Sequence, residues 1–175
     1  AKIGNEGDVI ASLDYKDVNE ERDLMGACVI PGFVDPHTHL CFAKRREDEF
    51  GMRLAGIPYL DILKKGGGIL SSVNSVKSAT EDELFSNTKK LALSALAKGT
   101  TTIEIKSGYG LDLDLELKML SVIERVSRET PLDVVPTFMG AHAVPTEYKS
   151  NPDAFVDILI NEMLPKVKAQ GIAEF

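Results

Sequence analysis

Apolar residues along this 175-residue chain recur in two rhythms: short β-branched runs, and longer stretches at helical spacing. The run Val29-Ile30-Pro31-Gly32-Phe33-Val34 predicts a buried strand over residues 28–35, leading into Asp35-Pro36-His37-Thr38-His39. A glycine-rich loop with Gly66-Gly67-Gly68 in its middle follows. Thr80 and Glu83 then have the spacing of a capping box, with each side chain satisfying a free amide of a helix's first turn. Leu84, Leu91, Ala92 and Ala95 continue that helix, and Gly99 stands where a left-handed cap would end it. Thr100-Thr101-Thr102-Ile103-Glu104-Ile105 reads as a strand running into Lys106-Ser107-Gly108-Tyr109-Gly110. A second helix is predicted over 112–129, with Leu115, Met119, Val122 and Val126 on one face. Asp133-Val134-Val135-Pro136-Thr137-Phe138-Met139 forms the third strand, ending at Gly140-Ala141-His142. Asn151 and Pro152 open a last helix that turns Phe155, Ile158, Leu159 and Met163 inward and is stopped by Pro165, and Glu174-Phe175 would begin a fourth strand.

This order, β-α-β-α-β-α and the start of another β, predicts an α/β fold with a parallel sheet. An open doubly wound sheet and a (β/α)₈ barrel both satisfy it. No glycine fingerprint follows the first strand, which argues against the nucleotide-binding version. His39, Tyr109 and His142 instead fall at or just after the C-terminal ends of three successive strands, where barrels of the TIM type keep their chemistry. Residues 28–175 are therefore expected to form the first three to four β/α units of such a barrel, about its first half. Residues 1–27, broken by Gly4, Gly7 and Gly26 and with one short strand at Asp8-Val9-Ile10-Ala11, are expected to belong to a small β-sandwich appendage. The start without Met and the finish at Ala173-Glu174-Phe175 make both ends read as cut.

Composition narrows the function. A net charge of −7 gives no support for the basic surface expected of a nucleic-acid-binding protein, and Lys44-Arg45-Arg46 is followed at once by Glu47-Asp48-Glu49. No apolar run approaches membrane-spanning length and no leader opens the chain. Cys28 and Cys41 do not make a disulfide scaffold, so a cytoplasmic protein with reduced thiols is expected.

In a strand alternate side chains share a face, so His37 and His39 point the same way and Thr38 points away. Two imidazoles one residue apart form the nucleus of a metal site. Read alone, Arg46 is a solvated charge in a charged run, Tyr109 a loop anchor between glycines, and His142 a possible third ligand. Gly66-Gly67-Gly68 lacks the Lys-Ser or Lys-Thr of a phosphate cradle and reads as a mobile active-site loop. Glu104 and Lys106 alternate with Ile103 and Ile105 and face the expected barrel interior; they receive no role.

Ile30-Pro31-Gly32-Phe33-Val34-Asp35-Pro36-His37-Thr38-His39 resembles the first-strand signature of the amidohydrolase superfamily, metal-dependent hydrolases built on a (β/α)₈ barrel. Within it, four further segments resemble the imidazolonepropionase family: Arg46-Glu47, Lys65-Gly66-Gly67-Gly68-Ile69, Lys106-Ser107-Gly108-Tyr109-Gly110-Leu111, and Phe138-Met139-Gly140-Ala141-His142-Ala143-Val144-Pro145. The resemblance runs from about residue 28 to the end and marks an N-terminal portion. It implies hydrolysis of 4-imidazolone-5-propanoate to N-formimidoyl-L-glutamate in histidine degradation, with one zinc or iron ion. It also implies that His37 and His39 are metal ligands and that Arg46, Tyr109 and His142 hold the substrate. The further metal ligands and the acidic proton carrier of the family belong to later strands, so no catalytic residue is assigned here.

Isolated, these residues are expected to be inactive and prone to associate, pairing of half-barrels being the simplest homo-oligomer. Two other readings compete. One is a related amidohydrolase or deaminase of another nitrogen heterocycle, and the other is a non-catalytic half-barrel assembly module.

Overall fold

The computed structural model describes residues 23–64 and 66–175. Two compact units divide the chain, Ala1–Pro31 and Gly32–Phe175. The expected strand at Asp8–Ala11 lies outside the described residues, and residues 23–31 contain a turn at Met25-Gly26 but no strand.

The second unit is an α/β layer built on three parallel strands in the order β1-β2-β3: β1 Phe33–Asp35, β2 Thr100–Lys106 and β3 Asp133–Thr137. β2 pairs with both neighbours, Val34 lying against Thr102 and Lys106 against Thr137. Beyond β3, Glu174 N–H donates to Pro136 O and Phe138 N–H donates to Phe175 O, at 2.9 and 2.7 Å. Residues 174–175 thus hydrogen bond along β3 as the predicted fourth run would.

The first strand is shorter than the apolar run that predicts it. Only Phe33–Asp35 pairs, with an irregularity of register between Phe33 and Val34, while Val29 and Ile30 are exposed. Apolar character alone does not make a strand; a hydrogen-bonding neighbour must also run alongside, and Pro31 has no amide to offer one.

The segment between β1 and β2 is more helical than its glycines suggest. It holds α1 Glu47–Leu54, α2 Tyr59–Lys64 and α3 Ile69–Ser78 before α4 Glu81–Leu96. α4 starts as predicted: Glu83 N–H donates to Thr80 Oγ1 at 3.2 Å, and Thr80 N–H donates to the Glu83 carboxylate at 2.9 Å. Gly99 takes φ +98° just beyond its end, and β2 begins at the next residue.

α5, Leu113–Glu129, follows β2 and buries Met119, Leu120, Val122, Ile123 and Val126. α4 contributes Leu84, Phe85 and Ala92 to the same core, and Ile103 and Ile105 of β2 complete it. The opposite face of the sheet, including Thr102, Glu104 and Val135, is half-buried and borders a hollow of about 220 Å³.

After β3 the chain forms α6, Pro152–Ile158, then a π-helical turn at Leu159–Met163, then α7, Leu164–Gln170. Pro165 therefore does not stop the helix. The turn before it is widened, with Leu164 N–H reaching back five residues to Leu159 O. Pro165 enters α7 in its first turn, where a missing amide costs little.

Candidate active site at the strand ends

Each predicted site residue follows the C-terminal end of a strand or opens the helix beyond it. Past β1 the chain stays tied to β2 through Thr38: its hydroxyl donates to Glu104 O, and its carbonyl accepts from Lys106 N–H at 3.0 Å. With Thr38 turned to β2, the rings of His37 and His39 lie edge to face, centroids 5.6 Å apart. The alternation expected of a strand survives although these residues lie beyond the paired part of β1.

His39 is the hub. His142 stacks on it at 4.7 Å with an interplanar angle of 15°, and the Tyr109 ring lies 5.5 Å away. Tyr109 and His142 are 5.3 Å apart, so three aromatic rings from three strand ends form one cluster. His39 Nδ1 is buried and has no hydrogen-bond partner among the described residues. Burial, then the neighbouring His142, His37 and Lys106, push its pKa down to about 4 against a weaker pull from Glu104. The ring is neutral at pH 7 and keeps a lone pair for a ligand.

His142 is oriented by its own contact. Its Nδ1 is 3.0 Å from Gly108 O, and a carbonyl only accepts, so Nδ1 carries the proton and Nε2 has no hydrogen-bond partner among the described residues. Tyr109 is buried, which raises its hydroxyl above the usual range despite the nearby Arg46. The hydroxyl therefore keeps its proton at neutral pH.

A cavity of about 480 Å³ is bordered by His39, Tyr109, Leu40, Phe42, Ser72 and the basic run Lys44-Arg45-Arg46. Arg46 precedes α1 and is only loosely engaged, 3.7 Å from Glu49. Glu49 in turn accepts from Gly68 N–H at 3.0 Å, which ties the triple-glycine segment to the cavity's rim. Four of the five predicted residues thus meet through the cavity and the ring cluster, and His37 joins them by its contact with His39.

Below the rings, Glu104 accepts from Lys106 Nζ and from Thr137 Oγ1. Burial alone would raise this carboxyl, but those two bonds outweigh it and hold the group below its ordinary range. Among the described residues no three His, Cys, Asp or Glu side chains come together as a metal site. His37 and His39 fit such a site as a pair, since His39 is neutral and its buried Nδ1 has no competing partner.

One side chain that holds the site's loop escapes the motif reading. Glu116, fully buried in α5, accepts hydrogen bonds from the amides on both sides of Tyr109. Its sequence signal was available: Glu116, Met119, Leu120 and Ile123 share a helical stripe, and a charge in such a stripe requires buried partners.

Parallel strands whose C-terminal ends gather imidazoles, a phenol and a basic wall define an α/β protein with a polar cavity at the sheet's carboxyl edge, the place where such folds offer a candidate site. No family model matches the chain. Among curated proteins it is similar to the imidazolonepropionases of Syntrophobacter fumaroxidans, 60% identical, and Desulfotalea psychrophila, 56% identical, each over 173 residues and 99% of this chain. The imidazolonepropionase of Brevibacillus brevis is 48% identical over 177 aligned residues. The chain spans about two-fifths of the length of these relatives (41%, 42% and 41%). The resemblance to imidazolonepropionases is thereby borne out, and the aligned region extends beyond the motifs to 99% of the chain.

Proposed function

We propose that this chain forms part of an imidazolonepropionase, a hydrolase that opens the cyclic amide of 4-imidazolone-5-propanoate to N-formimidoyl-L-glutamate. The observation that carries the reading is the meeting of His39, Tyr109 and Arg46 around one cavity, with His142 stacked on His39. The identities of 48–60% to proteins of that name agree with it.

In this reading the parallel β/α layer is a portion of a (β/α)₈ barrel, with the half-buried face of Glu104 and Val135 turned to its interior. Arg46 faces the propanoate tail, whose planar carboxylate matches a guanidinium fork. Tyr109 donates its hydroxyl to a polar atom of the ring. His142, held through Nδ1, presents Nε2 to the heterocycle and accepts from a ring N–H. His37 and His39 would hold a single zinc or iron ion, and the remaining ligands belong to the part of the relatives that this chain does not span. Such an ion, when bound, brings the pKa of its water to about 7 and so supplies a nucleophile at neutral pH. Cleavage of the ring C–N bond further requires a proton for the leaving nitrogen, from a group outside these 175 residues. A cytoplasmic location accords with the reading, and homo-oligomerisation remains an expectation attached to it.

The test is turnover of 4-imidazolone-5-propanoate by the complete protein, together with metal analysis of wild-type and His37→Ala/His39→Ala protein. Turnover with one bound zinc or iron, both abolished in the double variant, is the expected result. Turnover of another nitrogen heterocycle in its place would establish the related-amidohydrolase reading, and a metal-free protein without hydrolytic activity would establish the assembly-module reading.

A further inference from the structure

The loop joining β2 to α5 is gripped by a carboxylate to which the proposed reaction gives no role. Glu116 is fully buried in the first turns of α5, with its side chain directed back at that loop. Its Oε1 accepts from Gly110 N–H at 2.8 Å and Leu111 N–H at 2.9 Å, while Gly108 N–H reaches Oε2 at 3.0 Å. The amides on either side of Tyr109 are thus both committed to one side chain.

The fit leaves no slack. Gly108 has φ +100° and Leu111 φ +58°, so the loop is curled into a conformation that aims successive amides inward. A Cβ at Gly110 would stand 2.6 Å from Glu116 N and 2.8 Å from its Oε1. A second restraint acts on the same loop: Gly108 O accepts from His142 Nδ1, and a Cβ at Gly108 would meet Met139 O at 2.8 Å. Beneath the loop Ser107 N–H donates to Thr137 O and Ser107 Oγ accepts from Met139 N–H, both at 2.9 Å. An anchor this complete is more than α5 needs, because Asp112 already caps that helix by accepting from Leu115 N–H at 2.9 Å.

We propose that Glu116 is a positioning residue, which fixes the Tyr109 hydroxyl at the cavity by holding the amides of Gly108, Gly110 and Leu111. A charged acceptor makes each of these bonds stronger than a neutral one would, and three of them from one rigid helix leave the tyrosine backbone a single position. Glutamine in its place keeps the shape but turns a donor toward Gly108 N–H. For activity, the inference rests on the reading of Tyr109 as a substrate contact; for loop geometry it stands alone.

The experiment compares Glu116→Gln, Tyr109→Phe and the double variant in the complete protein, by amide hydrogen exchange and by kinetics on 4-imidazolone-5-propanoate. Exchange at Gly108 should quicken by about tenfold or more in Glu116→Gln while Val122 and Ile123 in the core of α5 keep their protection. KM should rise about tenfold when Tyr109 is present and by no more than about threefold in the Tyr109→Phe background. Unchanged exchange at Gly108, or an equal kinetic loss with and without the tyrosine hydroxyl, would overturn the proposal. Absence of turnover in the wild type would instead defeat the functional reading and leave the exchange data to decide. If Glu116→Gln does not fold, Gly110→Ala attacks the same contact from the loop and should give the same pattern.

Discussion

His142 stacks on His39 with centroids 4.7 Å apart and planes 15° from parallel, although 103 positions separate them in the chain. One ring follows β1 and the other follows β3, with β2 between the two strands. Their contact closes the strand-end cluster across the sheet, and several consequences of that cluster can be measured.

The first concerns pH. The His39 ring resists protonation until about pH 4 in the folded chain, against an ordinary value of 6.5. In the unfolded chain it takes a proton at the ordinary value, so between these limits the unfolded state binds more protons. This contribution to stability is complete above pH 6.5 and declines as pH falls toward 4. Denaturant unfolding of metal-free protein across that window should show the decline, and His39→Gln should make the curve shallower. An identical slope in the variant would refute the assignment.

The second concerns Arg46. Its guanidinium borders the cavity, and among the described residues its one ion pair is the long 3.7 Å contact with Glu49, which leaves it able to turn toward an anion. Arg46→Ala should raise KM for 4-imidazolone-5-propanoate by about 10- to 100-fold, the worth of a charge-assisted pair, with a smaller effect on kcat. Arg46→Lys should restore only part of the loss, since an ammonium cannot form the planar fork. Steady-state kinetics with an unchanged KM in Arg46→Ala would remove this residue from the site.

The third separates the two thiols. Cys41 is fully buried, and that burial pushes its pKa up to about 12, while Cys28 is exposed. Iodoacetamide at neutral pH should label the Cys28 peptide and leave the Cys41 peptide unmodified until denaturant is added. Rapid native labelling of Cys41, read by peptide mass mapping, would contradict its placement in the core.

The fourth tests the start of α4. Thr80→Ala removes the acceptor for Glu83 N–H and should lower stability by about 1 kcal/mol, as loss of a helix cap does. Thr80→Ser keeps the acceptor and should stay close to wild type in the same thermal melt.

The legible parts of the fold were those where local chemistry and burial agree. α4 has a capping box at one end, a glycine in the left-handed region at the other, and Leu84 and Ala92 in the core between them, so its limits could be read directly. β2, α5 and β3 were equally plain, because Ile103, Met119 and Val134 are inward-facing members of regular patterns. α1 and α2 were not: α1 buries none of its residues and α2 only Ile62, so no apolar stripe marks them. Pro165 misled for another reason, since a widened helical turn is a geometric event that residue identity does not announce.

Sequence alone determined the chemistry on offer: two imidazoles at alternate positions, a tyrosine between glycines, a third histidine and a basic run, each following an apolar segment. It also carried the family likeness, because those motifs are short, contiguous and independent of how the chain packs. Tertiary structure decided what meets what. Only the parallel alignment of β1, β2 and β3 brings His39, Tyr109 and His142 into contact, and only the return of the Glu116 side chain onto residues 108–111 shows how the tyrosine is held. Periodicity reports which face of an element is buried, whereas a hydrogen bond between a helix carboxylate and a preceding loop depends on a backbone curl that exists only once sheet and helix are packed.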